Sequence, residues 1–184
     1  DRPLLGFLSK VELQAIVDAP SPTCWNGRRD RTLFALLYNT GARVSEILNL
    51  QRQHLQWSPM GLVQLQGKGR KQRQVPLWKS TAAQLRQWLA ERPESPDTPV
   101  FVNRFGQRLT RFGVAKRLRL AVQAATPSCP SLKGRAISPH TFRHSTAMHL
   151  LQAGVDIAVI ALLCVPFVSL RSGRFLDFRN SAPA

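Results

Sequence analysis

The sequence predicts a mainly α-helical domain of the α+β class, with a small three-stranded antiparallel β-sheet in its middle. Three observations carry this. Apolar residues recur at helical spacing over much of the chain, as with Val11, Leu13, Ile16 and Val17 behind Ser9 and Glu12. The period then changes: "LVQLQ" (62–66) and "RQVPL" (73–77) alternate as strands do, across the Gly- and Lys-rich turn "GKGRKQ". No internal repeat or low-complexity linker divides the chain, so residues 1–163 read as one domain, followed by an atypical tail over 164–184.

Each element has its own local cause. Ser9 and Glu12 form a capping box for a first helix, which "PSPTC" breaks. An apolar helix over about 28–40 includes "RTLFALLYNT" and ends near Gly41, a natural C-cap. A short helix follows with Val44, Ile47 and Leu48 on one side. Residues 81–91 read as helical, "RPESPDTP" as a surface loop, "VFVN" (100–103) as the third strand and "RFGQ" as a turn. Phe112, Ala115, Leu118 and Val122 mark a further amphipathic helix, and "TPSCPSLKG" is a loop. Ser138 caps a helix with Pro139 at its first position, and an apolar helix follows over about 156–163.

Totals narrow the function. Twenty-six Lys and Arg against ten Asp and Glu give a net charge of +16, which favours a polyanionic partner, nucleic acid before a membrane surface. No apolar run is long enough to span a bilayer, and "DRPLLGFLSK" is too short and charged for a signal peptide. Cys24, Cys129 and Cys164 are scattered and odd in number, which argues against a disulfide framework and fits a reducing, cytoplasmic compartment.

Three stretches could carry chemistry, each with an ordinary reading beside it. In "ISPHTFRHSTAMHLLQAGVD", His140 and Arg143 lie one turn apart at a helix N-terminus, where unpaired backbone N–H groups favour a phosphate. They could equally be a helix-end His and a surface Arg. In "NTGARVSEILNL", Arg43 follows a helix terminator and can project from a corner, offering paired donors to a phosphate, or it is a plain surface residue. Glu46 reads as a partner for a base or a backbone group, not as an acid–base catalyst. In "QGKGRKQRQVPL", Lys68 sits between glycines at a hairpin tip, able to reach a ligand or simply solvated. The loop is not a Walker A motif, and neither HExxH, a Cys pair nor GxSxG occurs, so neither a metal site nor a serine hydrolase is expected.

The order of "TGARVSEIL", "GKGRKQRQVPL" and "SPHTFRHSTAMHLLQAGVD" resembles the catalytic domain of the tyrosine recombinase (phage integrase) family over about residues 9–163. The resemblance implies double-stranded DNA as partner and no cofactor or metal. It implies that Arg43 and Arg143 clamp the scissile phosphate, that Lys68 protonates the leaving 5′ oxygen, and that His140 assists proton transfer or bonds the phosphate. Arg70, Lys71, Arg73, Arg108 and Arg111 are expected to contact DNA. A tyrosine would attack to give a 3′-phosphotyrosine link, with self-association on DNA as a tetramer. In a bacterium this places the protein at the nucleoid.

The sequence departs from the family pattern in two places. Where "ALLGH" is expected, "ALLCV" stands, with Val165 at the usual His. Nine residues on, where the tyrosine belongs, lie Arg174 and Phe175, and the single tyrosine of the chain is Tyr38 in an apolar helix. No nucleophile is therefore identified, and the chain is expected to be inactive as written. A frame disruption near codon 164, a one-residue slip that puts Phe175 at the tyrosine position, or a paralogue that binds DNA without cutting it would each account for this. A partner subunit could also supply the tyrosine. The family's separate N-terminal DNA-binding domain is not in the sequence, which suggests a fragment or minimal form with weaker, salt-dependent affinity.

Overall fold

A computed structural model describes residues 6–67 and 72–164. The chain runs through α1 (Lys10–Asp18), α2 (Trp25–Thr40) and α3 (Val44–Leu48), then β1 (Leu55–Gln56), β2 (Leu62–Gln66) and β3 (Gln72–Pro76). It continues through α4 (Lys79–Ala90), α5 (Arg111–Ala125), α6 (Pro139–Gln152) and α7 (Ile157–Cys164).

Local signals behave as their chemistry dictates. The Ser9 hydroxyl accepts from the Glu12 N–H while the Glu12 carboxylate accepts from the Ser9 N–H at 2.8 Å, so α1 starts on a full capping box. Gly41 closes α2 with φ 56° and ψ 23°, a left-handed conformation that a Cβ would strain, and its N–H bonds the Leu37 carbonyl. Ser138 caps α6 by accepting from the Thr141 N–H, with Pro139 in the first turn.

Helix α2 is the spine, buried continuously from Thr32 to Thr40. Helix α6 packs along it, with the Phe34 and Phe142 rings 6.0 Å apart, and the Thr146 hydroxyl donates to the Tyr38 carbonyl at 2.9 Å. Helix α4 also lies against α2, where Trp88 meets Trp25 at 5.2 Å and its indole N–H donates to the Val100 carbonyl. Asn39 binds the exit of β3 by donating to the Pro76 carbonyl and accepting from the Trp78 N–H. Tyr38, the lone tyrosine, is a core residue: its hydroxyl pairs with His149 Nδ1 at 2.9 Å, and His149 Nε2 pairs with the Leu8 carbonyl at 2.9 Å. Burial lowers the His149 pKa, which fits a neutral ring donating through Nε2 and accepting from the Tyr38 hydroxyl.

The sheet has the order β1-β2-β3, antiparallel throughout, with Val63 opposite Val75 and Leu65 opposite Arg73. One face carries Leu55, Val63, Leu65 and Val75 into the core, while Gln56, Gln66, Gln72 and Gln74 face out. Two expectations are corrected. The third strand is Leu55–Gln56, not residues 100–103. Val100, Phe101 and Val102 are all fully buried, so they lack the alternation of a strand on a one-sided sheet. Their backbone instead bonds loops and side chains, including Arg29 on the Val102 carbonyl. In α5 the buried stripe is Val114, Leu118, Ala121 and Ala125, which packs on α1; Phe112 is 79% exposed and Ala115 also faces out. A three-to-four residue period allows both stripes on apolar content alone, and the small side chains of Ala121 and Ala125 suit a close helix contact.

Buried charge ties the far ends of this core. Asp30 accepts from Arg29 at 2.7 and 2.9 Å through one oxygen and from Arg117 of α5 through the other. Removing one member of a buried ion group leaves the remaining charges uncompensated. Asp30→Ala should therefore cost about 3–5 kcal/mol of unfolding free energy in urea titrations. Glu91→Ala, which removes the surface partner of Arg28, should cost far less than Asp30→Ala in the same titrations.

Candidate active site

The site begins at the corner where α2 ends. The left-handed turn at Gly41 reverses the chain within two residues, so that Arg43 becomes the N-cap of α3 with extended backbone. Its guanidinium leaves the corner with 46% of the side chain exposed. Arg143 comes from the first turn and a half of α6 and donates to the Gly41 carbonyl, so both arginines attach to the same corner. His140, the second residue of α6, is exposed one turn before Arg143.

Glu46 gathers this corner. Its side chain is 2% exposed and faces Arg73 of β3 in a two-pronged pair, with Arg73 Nη1 to Oε1 at 2.9 Å and Nη2 to Oε2 at 2.7 Å. Glu46 Oε2 also accepts from the Arg43 N–H at 2.8 Å, and Arg43 Nη1 stands 3.5 Å from Oε1. Burial alone would push the Glu46 pKa up. The Arg73 and Arg43 N–H bonds, with the charges of Arg73 and Arg143, outweigh burial and hold the carboxyl below its ordinary value. Glu46 is thus ionised, with three guanidiniums within its electrostatic reach. The carboxylate does both things the sequence suggested: it pairs with a base and fixes a backbone N–H.

Arg73, a DNA-contact candidate by sequence, faces inward instead of presenting an open guanidinium: its side chain is 7% exposed and both terminal nitrogens are committed to Glu46. The cause is strand periodicity. Arg73 lies two residues before Val75 and opposite Leu65, both buried, so its side chain takes the core face of the sheet. That signal is present in the sequence, because strand alternation pairs Arg73 with the apolar positions and not with the outward glutamines.

The remaining candidates fall into two groups. Arg108 and Arg111 are exposed, Arg108 in a bridge with Val102 and Arg111 as the first residue of α5. Lys68, Arg70, Lys71, Val165, Arg174 and Phe175 lie outside the described residues, as does all of 165–184. The paired residues of the β2–β3 hairpin end at Gln66 and Gln72, and Arg73, the next residue of β3, meets Glu46. Among the described residues, no helix is long and apolar enough to cross a membrane.

The Arg43 guanidinium, 46% exposed, and the exposed His140 near the Arg143 attachment are groups that can bond an oxyanion. The family model described as "Phage integrase family" matches residues 6–164. The chain belongs to the phage integrase family. Among relatives, y4rC of Sinorhizobium fredii, which carries an integrase/recombinase name, is 42% identical over 161 residues, covering 88% of this chain and 48% of that protein. The tyrosine recombinase XerD of Lacticaseibacillus casei is 37% identical over 162 residues, covering 85% and 53%. Among solved structures, the XerH site-specific recombinase bound to its difH substrate superposes with a TM-score of 0.73 at 25% identity, over 86% of this chain and 46% of that one. The chain thus spans about half the length of the curated relatives it matches. Its mostly helical fold with a three-stranded sheet is that of the family's catalytic domains.

The Glu46 pKa gives the site a pH signature. A carboxyl held below its unfolded value stabilises the fold above that value, about 4.3 for glutamate, and this stabilisation is lost as pH falls through the folded value. In urea unfolding, the stability difference between the native chain and Glu46→Gln should be constant near neutral pH and shrink as pH drops below about 4.3. A difference independent of pH down to 3 would mean that the fold does not shift the Glu46 pKa from its unfolded value.

Proposed function

We propose that this chain forms the phosphate-activating part of a site-specific DNA recombinase, acting on double-stranded DNA through strand cleavage and rejoining. The observation that carries this reading is the attachment of Arg43 and Arg143 to one corner, Arg43 as the cap next to Gly41 and Arg143 on the Gly41 carbonyl. Two guanidiniums from different helices on one rigid turn suit the non-bridging oxygens of a phosphodiester, and their hold tightens as negative charge builds up in the transition state. His140, exposed one turn from Arg143, would bond the phosphate or move a proton at the attacking oxygen. Lys68 would donate a proton to the leaving 5′ oxygen, while the attacking oxygen forms a new bond to phosphorus. The phosphate would then pass to that oxygen with its bond energy kept for rejoining.

Exposed Arg108 and Arg111 fit a role against the DNA backbone. Arg111 stands at the start of α5, where a cation opposes the helix dipole, and the first turn of that helix holds no acid. Such a placement costs stability in water and is relieved by a polyanion. Arg70 and Lys71 would add to the same surface, and self-association on DNA would follow the family.

A second reading has its own support. Tyr38 is buried and hydrogen-bonded, which makes it a poor nucleophile, so this chain alone would hold and polarise a phosphate without cutting it. A partner subunit could then deliver the attacking tyrosine.

Two measurements separate these readings. Duplexes selected by this chain from a random pool should bind with marked salt dependence. Arg43→Ala and Arg143→Ala should each weaken binding by about 1.5–3 kcal/mol and reduce the slope of log K against log salt by about 0.9. If both variants bind like the native chain, the shared phosphate clamp is wrong. With the same duplexes, Phe175→Tyr and Arg174→Tyr should be assayed for a covalent DNA adduct on denaturing gels. An adduct in either supports the recombinase reading, and none in both favours binding without cleavage.

A further inference from the structure

Resting on the phosphate-clamp reading, we infer that Arg73 is a positioning residue that keeps Arg43 available to phosphate by neutralising the buried Glu46 carboxylate. The geometry divides the work between the two arginines. Arg73 reaches Glu46 with both terminal nitrogens at 2.7 and 2.9 Å, the length of strong charge-assisted bonds. Arg43 stands off at 3.5 Å from Oε1, and only its backbone N–H makes a short bond to the carboxylate. Exposure follows the same division, with the Arg73 side chain at 7% and that of Arg43 at 46%.

Charge neutralisation accounts for the stand-off. Arg73 meets the Glu46 charge with a two-pronged pair, and together with the Arg43 N–H it fills three of the carboxylate's roughly four acceptor positions, so little attraction is left to draw the Arg43 guanidinium closer. A buried anion left without Arg73 would draw in the nearest cations, because Coulomb attraction grows as water is excluded. Those cations are Arg43 and Arg143, both already within its electrostatic reach. A guanidinium drawn down onto Glu46 would have its donors occupied and its charge cancelled, and would be lost to a phosphate.

Arg73 itself is badly placed to serve a phosphate directly. It sits on a strand, faces the core, and has Glu46 as its hydrogen-bond partner among the described residues. Its Nε is buried and has no acceptor among the described residues. An arginine kept there at the cost of an unpaired N–H serves the carboxylate. With Arg73 in place, the corner carries three guanidiniums against one carboxylate, and the excess charge sits on the two that face outward or pair with backbone.

The test is a double-mutant cycle read with inorganic phosphate on the full chain, using arginine side-chain N–H resonances in ¹⁵N NMR. In the native chain, phosphate should shift the Arg43 and Arg143 Nε signals in a saturable way. In Arg73→Gln, the Arg43 signal should already be displaced before any phosphate is added, and the phosphate dissociation constant should rise about tenfold. In the double variant Glu46→Gln, Arg73→Gln, which removes the uncompensated anion, affinity should return to within about threefold of the native value. Native-like affinity in Arg73→Gln overturns the inference, and so does a double variant as weak as the single one, since Arg73 would then bind phosphate itself. If Arg73→Gln does not fold, Arg73→Lys replaces it in the test, and a loss smaller than about twofold overturns the inference. A native chain whose Arg43 and Arg143 signals ignore phosphate overturns the clamp reading and this inference with it.

Discussion

The ion pair between Glu46 and Arg73 is the constraint on which the corner depends. A carboxylate in a core is tolerable only when its charge is met and its lone pairs are used, and here both conditions are satisfied across two separate parts of the fold. Helix α3 must therefore stand against the end of β3 that carries Arg73. The sheet, which would otherwise be a small appendage, is fixed to the helical body at the end where Gln66 pairs with Gln72. Asn39 does the same at the other end of β3 through Pro76 and Trp78. A five-residue strand held at both ends has little freedom to shift register.

The last turn of α2 shows how densely structural and chemical duties are packed. Tyr38 gives its carbonyl to Thr146 of α6 and its hydroxyl to His149 of the same helix, while Asn39 holds the sheet. Gly41 then turns the chain and gives its carbonyl to Arg143. Within four residues, α6 is docked, β3 is docked and one of the two clamp arginines is aimed. An arginine has many rotamers, and fixing one costs entropy. The contacts of this turn settle that cost during folding, so it is not taken from the energy of binding a ligand.

Much of this was legible in the sequence because the causes were local. The Ser9 capping box, the Gly41 terminator, the Ser138 cap and the alternating strands each act over a few residues, and each stands where its chemistry implies. What escaped was decided by tertiary partners. Residues 100–103 have the composition of a strand but are enclosed on all sides, and Leu55–Gln56 takes the place at the sheet edge because it follows the turn after α3 and pairs with Leu62–Val63. Phe112 looks like a core residue and is exposed, because α1 accepts the small side chains of α5 instead. At the site, Arg43, His140 and Arg143 were legible as motif residues. The fate of Arg73 needed the strand alternation carried one step further, onto a charged residue whose type suggests solvent.

The net charge of +16 is also distributed in a way that totals conceal. Asp30, Glu46 and Glu12 are buried acids, and they hold Arg29, Arg117, Arg73 and Arg135 as internal braces. These four arginines are largely spent on the fold. The charge not spent on these braces belongs in part to exposed residues such as Arg108 and Arg111. A buried acid with a structural arginine beside it lets a second arginine remain exposed nearby without collapsing onto that acid. The contacts described for the corner come from residues 41–46, Arg73 and Arg143, so the corner proposed to hold a phosphate is assembled from residues before 164. Under the proposed function, holding a phosphate and attacking it are separable in the architecture, because the residues proposed for the first meet at this corner without Tyr38, which is buried elsewhere against His149.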